Sequence, residues 1–286
     1  MTENNWFTTN LGDRTLENSK DHQFEVFLKP YKFQKSSFRE AANTLARRLS
    51  KKYDNLYVAY SGGMDSEFVL KTFHELGLPI TPIILCSPFN ELESNFAIRY
   101  CEDNHINADV IELDGKTFIQ ELYNRTYTKN YFSLVGGITL YLADYVNARG
   151  GKLITGFGDP FTIMPTSGIS HNVAYFGPTV EYSEWDYYLD EYDNSHPSAF
   201  FTYNIEVFYH LIKDMDHSVS VQEAKSKLYD VQYRPKIHMT DEFYVLFNEL
   251  QKFQVGRYSS IVSEKALLSK LEQYIIDDSG VDHTNK

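Results

Sequence analysis

Cysteine is nearly absent from this sequence: Cys86 and Cys101 are the only two thiols in 286 residues. Two thiols cannot build a disulfide framework or a four-cysteine zinc site, and they read as core thiols of a reducing compartment. Basic charge is also scarce. Against 39 Asp and Glu stand 27 Lys and Arg, giving a formal net charge of −12. Such a surface repels phosphate backbones on average, which disfavours a large nucleic-acid partner. No apolar run approaches the length of a bilayer span, and residues 1–20 hold no apolar leader segment. The expectation is therefore a soluble, cytoplasmic chain with no membrane partner. No internal repeat or low-complexity stretch breaks the sequence up. What remains is ordinary globular composition, 42% hydrophobic and 23% charged, with an unusual aromatic share of 22 Tyr and 20 Phe. The length allows a full core and about one to two domains.

The most informative stretch is Val58-Ala59-Tyr60-Ser61-Gly62-Gly63-Met64-Asp65-Ser66-Glu67-Phe68. Residues 56–60 have the length and the β-branched and aromatic content of a strand. Two glycines and a Ser/Asp turn follow, and residues 67–73 read as the start of a helix. Strand, glycine turn and helix N-terminus together suit an anion: small residues let the backbone approach, N–H groups point inward, and the helix dipole favours negative charge. An ordinary strand-to-helix turn with a Ser or Asp cap is the other reading. A Walker A loop is excluded, because no Gly-Lys-Ser/Thr follows at the required spacing.

Around this turn the pattern alternates strand and helix. Ser36 and Ser37 open a helix to about residue 52. Strands are expected at residues 80–86, 109–113 and 152–155, and helices at residues 89–105, 116–127 and 132–149. Pro82 marks either the start of its strand or an irregular edge. Strands separated by helices give parallel pairing with right-handed crossovers, hence a doubly wound α/β sheet. After residue 160 the pattern changes to aromatic, loop-like sequence and then to helices, among them residues 202–213, 221–229, 241–253 and 263–276. The organisation expected is a loose arm over residues 1–20, a nucleotide-binding domain over 21–160, a mostly helical cover over 161–276, and a flexible tail over 277–286.

Ser61-Gly62-Gly63-Met64-Asp65-Ser66 matches SGGxDS and so resembles the pyrophosphate loop of the PP-loop ATP pyrophosphatases, the adenine nucleotide α-hydrolase-like superfamily. The resemblance implies a HUP-like fold, with ATP and Mg²⁺ as cofactors. It also implies cleavage of ATP between its α- and β-phosphates with transfer of AMP to a substrate oxygen. Ser61, Gly62, Gly63, Asp65 and Ser66 would bind the nucleotide. Tyr60, Cys86 and Ser87 lie at strand ends that hold the base in such proteins, though plain core and turn is the equal reading. Gly156-Phe157-Gly158-Asp159 looks like the glycine-and-acid turn of amide-forming members such as asparagine synthetase, with Pro160 where that pattern carries an acid; a simple turn is the alternative. Gly156 and Gly158 would allow close approach to the ligand, and Asp65 and Asp159 would hold Mg²⁺.

A departing pyrophosphate also needs a cation. Resembling enzymes return a late Lys or Arg, and Arg234-Pro235-Lys236-Ile237-His238 is the cluster expected to supply it, with Lys236 favoured over Arg234 and a salt-bridged loop as the other reading. Asp65, Asp159 and Lys236 are thus the expected catalytic residues. The aromatic and acidic stretch with Glu181, Glu184, Trp185, Asp186 and Phe200 is either a core contact or a pocket for an unidentified acceptor. Branches of the family that need a zinc site or a C-terminal cysteine are excluded, since no cysteine lies beyond Cys101. The surviving expectation is an AMP-forming enzyme that adenylates a carboxylate or carbonyl and joins it to an amine or ammonia. Modification of a nucleobase or RNA by the same adenylation, or ATP binding without turnover, are the alternatives.

Overall fold

The first long helix is set by local chemistry. Ser37 caps it reciprocally: its hydroxyl accepts from the Glu40 N–H at 3.3 Å, and the Glu40 carboxylate accepts from the Ser37 N–H at 2.8 Å. Phe38, Ala42, Leu45 and Leu49 then fall on one buried face, while Lys51 and Lys52 suit the negative end of the dipole. The structure, a computed structural model, describes residues 7–10, 25–28, 36–118, 120–121, 134–156, 161–163, 173–175, 198–216 and 218–234.

Within these residues, two four-residue strands, β1 (Phe7–Asn10) and β2 (Glu25–Leu28), pair antiparallel. β1 falls inside the stretch expected to be a loose arm. Then come α1 (Phe38–Lys52), β3 (Leu56–Ala59), α2 (Met64–Glu75), β4 (Thr81–Cys86), α3 (Glu91–Asp103), β5 (Asp109–Glu112), α4 (Leu134–Asn147) and β6 (Lys152–Thr155). β7 (Phe161–Ile163) and β8 (Val173–Tyr175) form a small antiparallel pair. β9 (Ser198–Ala199), α5 (Phe200–Tyr203), α6 (Ile205–Asp214) and α7 (Val221–Tyr229) complete the described elements.

The central sheet is all parallel, in the order β5-β4-β3-β6-β9. The chain steps outward from β3 to β4 to β5, then returns to the other side of β3 for β6 and β9. This is a doubly wound α/β sheet, and its strand order reverses between β3 and β6. Pro82 sits second in β4 with Val58 as its register partner, inside the sheet, so it marks a strand start and not an edge.

Strand alternation divides the core. Leu56 and Val58 of β3 point into a large cluster with α1, α2 and the helices after residue 199; Tyr57 points the other way, beside Val146 of α4. The large cluster is strongly aromatic. Phe38 stacks on Phe68 at 4.9 Å between ring centroids, and Phe68 meets Tyr229 at 4.6 Å. Phe200 and Phe201 are fully buried there, so Phe200 is a core residue. Packing therefore runs straight across residue 160, where a domain boundary was expected, and β9 adds a strand from beyond it. Asn204 caps α6, its side chain accepting from Glu206 N–H at 2.6 Å, which separates α5 from α6 where one helix was expected.

Candidate phosphate-binding site

In an open parallel sheet the crevice lies beyond the carboxyl ends of the strands, where the order reverses. Here that point is the end of β3 and the end of β6. The 61–66 turn leaves β3, and Gly156 follows β6.

Gly62 lies in the left-handed region at φ +81°, and a Cβ there would sit 2.6 Å from the Glu93 carbonyl oxygen on α3. Glycine is required on both grounds. Ser66 braces the turn from inside: its hydroxyl donates to the Gly63 carbonyl at 3.0 Å and accepts from the Ser61 N–H at 3.4 Å. Gly63 occupies the N-cap position of α2, and no side chain caps that end. The first turn of α2 thus presents a positive dipole end bordered by the exposed Ser61 and Gly63. Gly156 closes the other side. A Cβ on it would lie 2.7 Å from Ser66 N and 2.9 Å from Asp65 C, so β6 and the first turn of α2 touch backbone to backbone.

That first turn carries two acids, and both are met by cations from residues 225–234. Asp65 receives the Lys225 ammonium at 2.9 and 3.0 Å on its two oxygens, and the Tyr229 hydroxyl at 3.0 Å. Lys225 is buried, an unusual condition for a lysine and one that demands a paired charge. Glu67, buried as well, accepts from Arg234 Nη2 and from the Tyr60 hydroxyl at 3.3 Å. Lys71, one turn further along α2, donates to the carbonyl of Asp230 and pairs with its carboxylate at 3.0 Å. The segment is therefore laced along one helix. Burial first, and then the Glu67 charge, push the Tyr60 hydroxyl far above its ordinary range and raise Tyr100 to about 12, so both stay protonated donors.

Several expected site residues take other parts. The Tyr60 ring is core, packed edge-on to Tyr100 at 5.7 Å, so any part it plays at the strand end falls to its backbone. The Ser87 hydroxyl and N–H both donate to Asn90 Oδ1 at 2.8 Å, and the Cys86 carbonyl accepts from Leu113 N–H at 2.9 Å. Ser87 is thereby built into the turn that starts α3 and Cys86 into the β4–β5 pairing, with the Cys86 thiol half-buried and its pKa raised by burial. Arg234 takes the salt-bridged reading. Gly158, Asp159 and Lys236, together with Glu181, Glu184, Trp185 and Asp186, lie outside the described residues.

Asp65 as placed does not suit a Mg²⁺ ion. An ammonium already stands against both of its oxygens, and the described residues contain no group of three His, Cys, Asp or Glu able to hold a metal. Lys225, Tyr229 and Glu67 were missed in the sequence. A signal did exist: Lys225 interrupts the apolar stripe Val221, Ala224, Leu228 of an amphipathic helix, and a lysine there requires an anion.

No family model matches the sequence, and no curated protein does. Among solved structures the chain is similar to NMN synthetase from Francisella tularensis, at 19% identity and TM-score 0.36, over 85% of this chain and 94% of that one. It is similar to a predicted tRNA methyltransferase subunit from Methanocaldococcus jannaschii at 13% and 0.36, over 66% and 98%. A glutamine-dependent NAD⁺ synthetase from Acinetobacter baumannii, solved with ADP, gives 12% and 0.37 over 89% of this chain and 46% of that one. Likeness at this level concerns the fold at most, and chemistry has to come from the residues of this chain.

Proposed function

We propose that this chain binds ATP with its pyrophosphate in the 61–66 loop and cleaves it between the α- and β-phosphates. AMP passes to a carboxylate or carbonyl oxygen of a small acceptor, and an amine or ammonia then displaces it. The observation that carries this reading is the placement of the SGGxDS turn. It sits at the switch point of a parallel sheet, with Gly62 left-handed, the N-terminus of α2 uncapped by any side chain, and a buried lysine held at the first turn. Each feature alone is common; together they make a cradle for a polyanion.

In this reading the backbone of the turn and the dipole of α2 stabilise the charge that builds on the leaving pyrophosphate. Lys225, held by Asp65 at that first turn, is the cation this reading assigns to that charge. The Mg²⁺ that accompanies ATP arrives as part of the substrate, and Asp65 as placed contributes no ligand to it.

The test is product analysis. Purified protein is given Mg²⁺ and ATP with a panel of carboxylic acids and ammonia, and the nucleotide and phosphate products are resolved by chromatography. AMP and pyrophosphate in equal amounts are expected. Release of ADP with orthophosphate, or no ATP binding by calorimetry, would sink the reading.

A further inference from the structure

We infer that Arg234 is a positioning residue for the 61–66 loop, acting through Glu67 and through α3. Its guanidinium lies between two elements that bound the loop. On one side Nη2 donates to the Glu67 carboxylate; on the other its Cζ lies 3.9 Å from the centre of the Phe96 ring on α3.

Both contacts lead directly to the turn. The Glu67 N–H donates to the Gly63 carbonyl at 2.9 Å, closing the first turn of α2, and its carboxylate also holds the hydroxyl of Tyr60, the residue before Ser61. Glu67 thus ties the two ends of the loop, by its N–H at Gly63 and by its carboxylate at Tyr60, and Arg234 clamps that carboxylate. The α3 contact matters because Phe96 stands one helical turn from Glu93, whose carbonyl oxygen lies where a Gly62 Cβ would fall. Spacing between α2 and α3 therefore sets the clearance around Gly62, and Arg234 spans that spacing. A lysine would keep the charge but lose the planar fork and the stacking face.

The affinity arm of the test rests on the phosphate reading; the exchange arm does not. Arg234→Lys, Arg234→Met and the double variant Arg234→Met/Glu67→Gln are compared with the parent chain. Readouts are hydrogen exchange of the amides of residues 61–66, affinity for inorganic pyrophosphate and for ATP by calorimetry, and Tm. Arg234→Met is expected to speed loop exchange and weaken pyrophosphate binding by about tenfold or more, the loss of about 1.4 kcal/mol of binding. The double variant removes the bare buried carboxylate and recovers Tm, yet keeps the fast loop exchange and the weak binding. Arg234→Lys recovers Tm with only part of the loop protection, and it carries the test if Arg234→Met does not fold. Loop exchange at the parent rate in Arg234→Lys or in the double variant overturns the inference. So does parent-like pyrophosphate affinity in the double variant, since Arg234 would then only neutralise Glu67. If the parent chain binds no pyrophosphate, the phosphate reading falls while the exchange arm still decides the role of Arg234.

Discussion

Replacing Gly156 with alanine isolates the contact between the two strand ends. Gly156 is not in the left-handed region, so alanine can adopt its backbone conformation and the whole effect is steric. The added carbon would stand 2.7 Å from Ser66 N, where ordinary contact begins near 3.4 Å, so β6 and the first turn of α2 must part by about 0.7 Å. All three nearest atoms belong to the backbone, and no flexible side-chain tip can swing aside. Overpacking of this kind costs about 1–3 kcal/mol, and a shift approaching 1 Å at a reacting centre lowers kcat/KM by up to about a hundredfold. Thermal unfolding followed by circular dichroism reads the first number, and calorimetric titration with ATP and pyrophosphate shows the accompanying loss of binding. Gly77→Ala is the control: at φ +61° with nothing within 4 Å, it strains the backbone without touching the site. It should cost about 1 kcal/mol and leave ATP binding unchanged. If Gly156→Ala keeps the parent Tm, the close approach of β6 and α2 is refuted. If it loses Tm but binds ATP normally, the packing stands and the placement of phosphate against this turn does not.

Other expectations follow from the same geometry. Ser37→Ala removes the α1 cap and should lower stability by about 1 kcal/mol, or about 2–4 °C in Tm, with ATP binding untouched. In native protein, iodoacetamide should alkylate the half-buried Cys86 well before Cys101, whose thiol burial raises to about 11; equal rates by mass spectrometry would contradict the packing of α3. The hydrogen bond and the charge of Lys71 hold the Asp230 carboxyl below its usual 3.8. Its folded-state pKa is depressed, so its contribution is complete above that value and is lost as pH falls through the lower folded one. Asp230→Asn keeps the left-handed helix end at φ +53° and should flatten the acid limb of a stability–pH curve below about pH 4. An unchanged limb would remove that pair from the account.

Much of the sheet was legible because its strands are short apolar runs punctuated by glycine, proline and polar turns. Lys152–Thr155 and Val221–Tyr229 fall at the expected residues. β9 was not legible: two residues carry no periodicity, and they join the sheet only because β6 offers a free edge. The 61–66 turn announced itself through glycines that the backbone needs. The residues that complete it did not. Lys225 and Tyr229 are placed against Asp65 by the tertiary fold, and the basic cluster at Arg234 leaves a phosphate ligand and a salt-bridged loop both open, because its partner Glu67 lies 167 positions away. Long-range ion pairs leave almost no local trace, and a buried lysine in an apolar stripe was the one clue available.

The distance along the chain between the turn and its cations has a kinetic consequence. Asp65 and Lys225 are 160 positions apart, Glu67 and Arg234 167. At ordinary synthesis rates, roughly ten to thirty seconds separate the two ends of such a pair as they leave the ribosome. Through that interval the first turn of α2 carries two carboxylates without counter-charges, and a polyanion is repelled from it. The glycine turn is an early product of translation, whereas the neutralised first turn that the proposed function calls for exists only after residues 225–234 have docked.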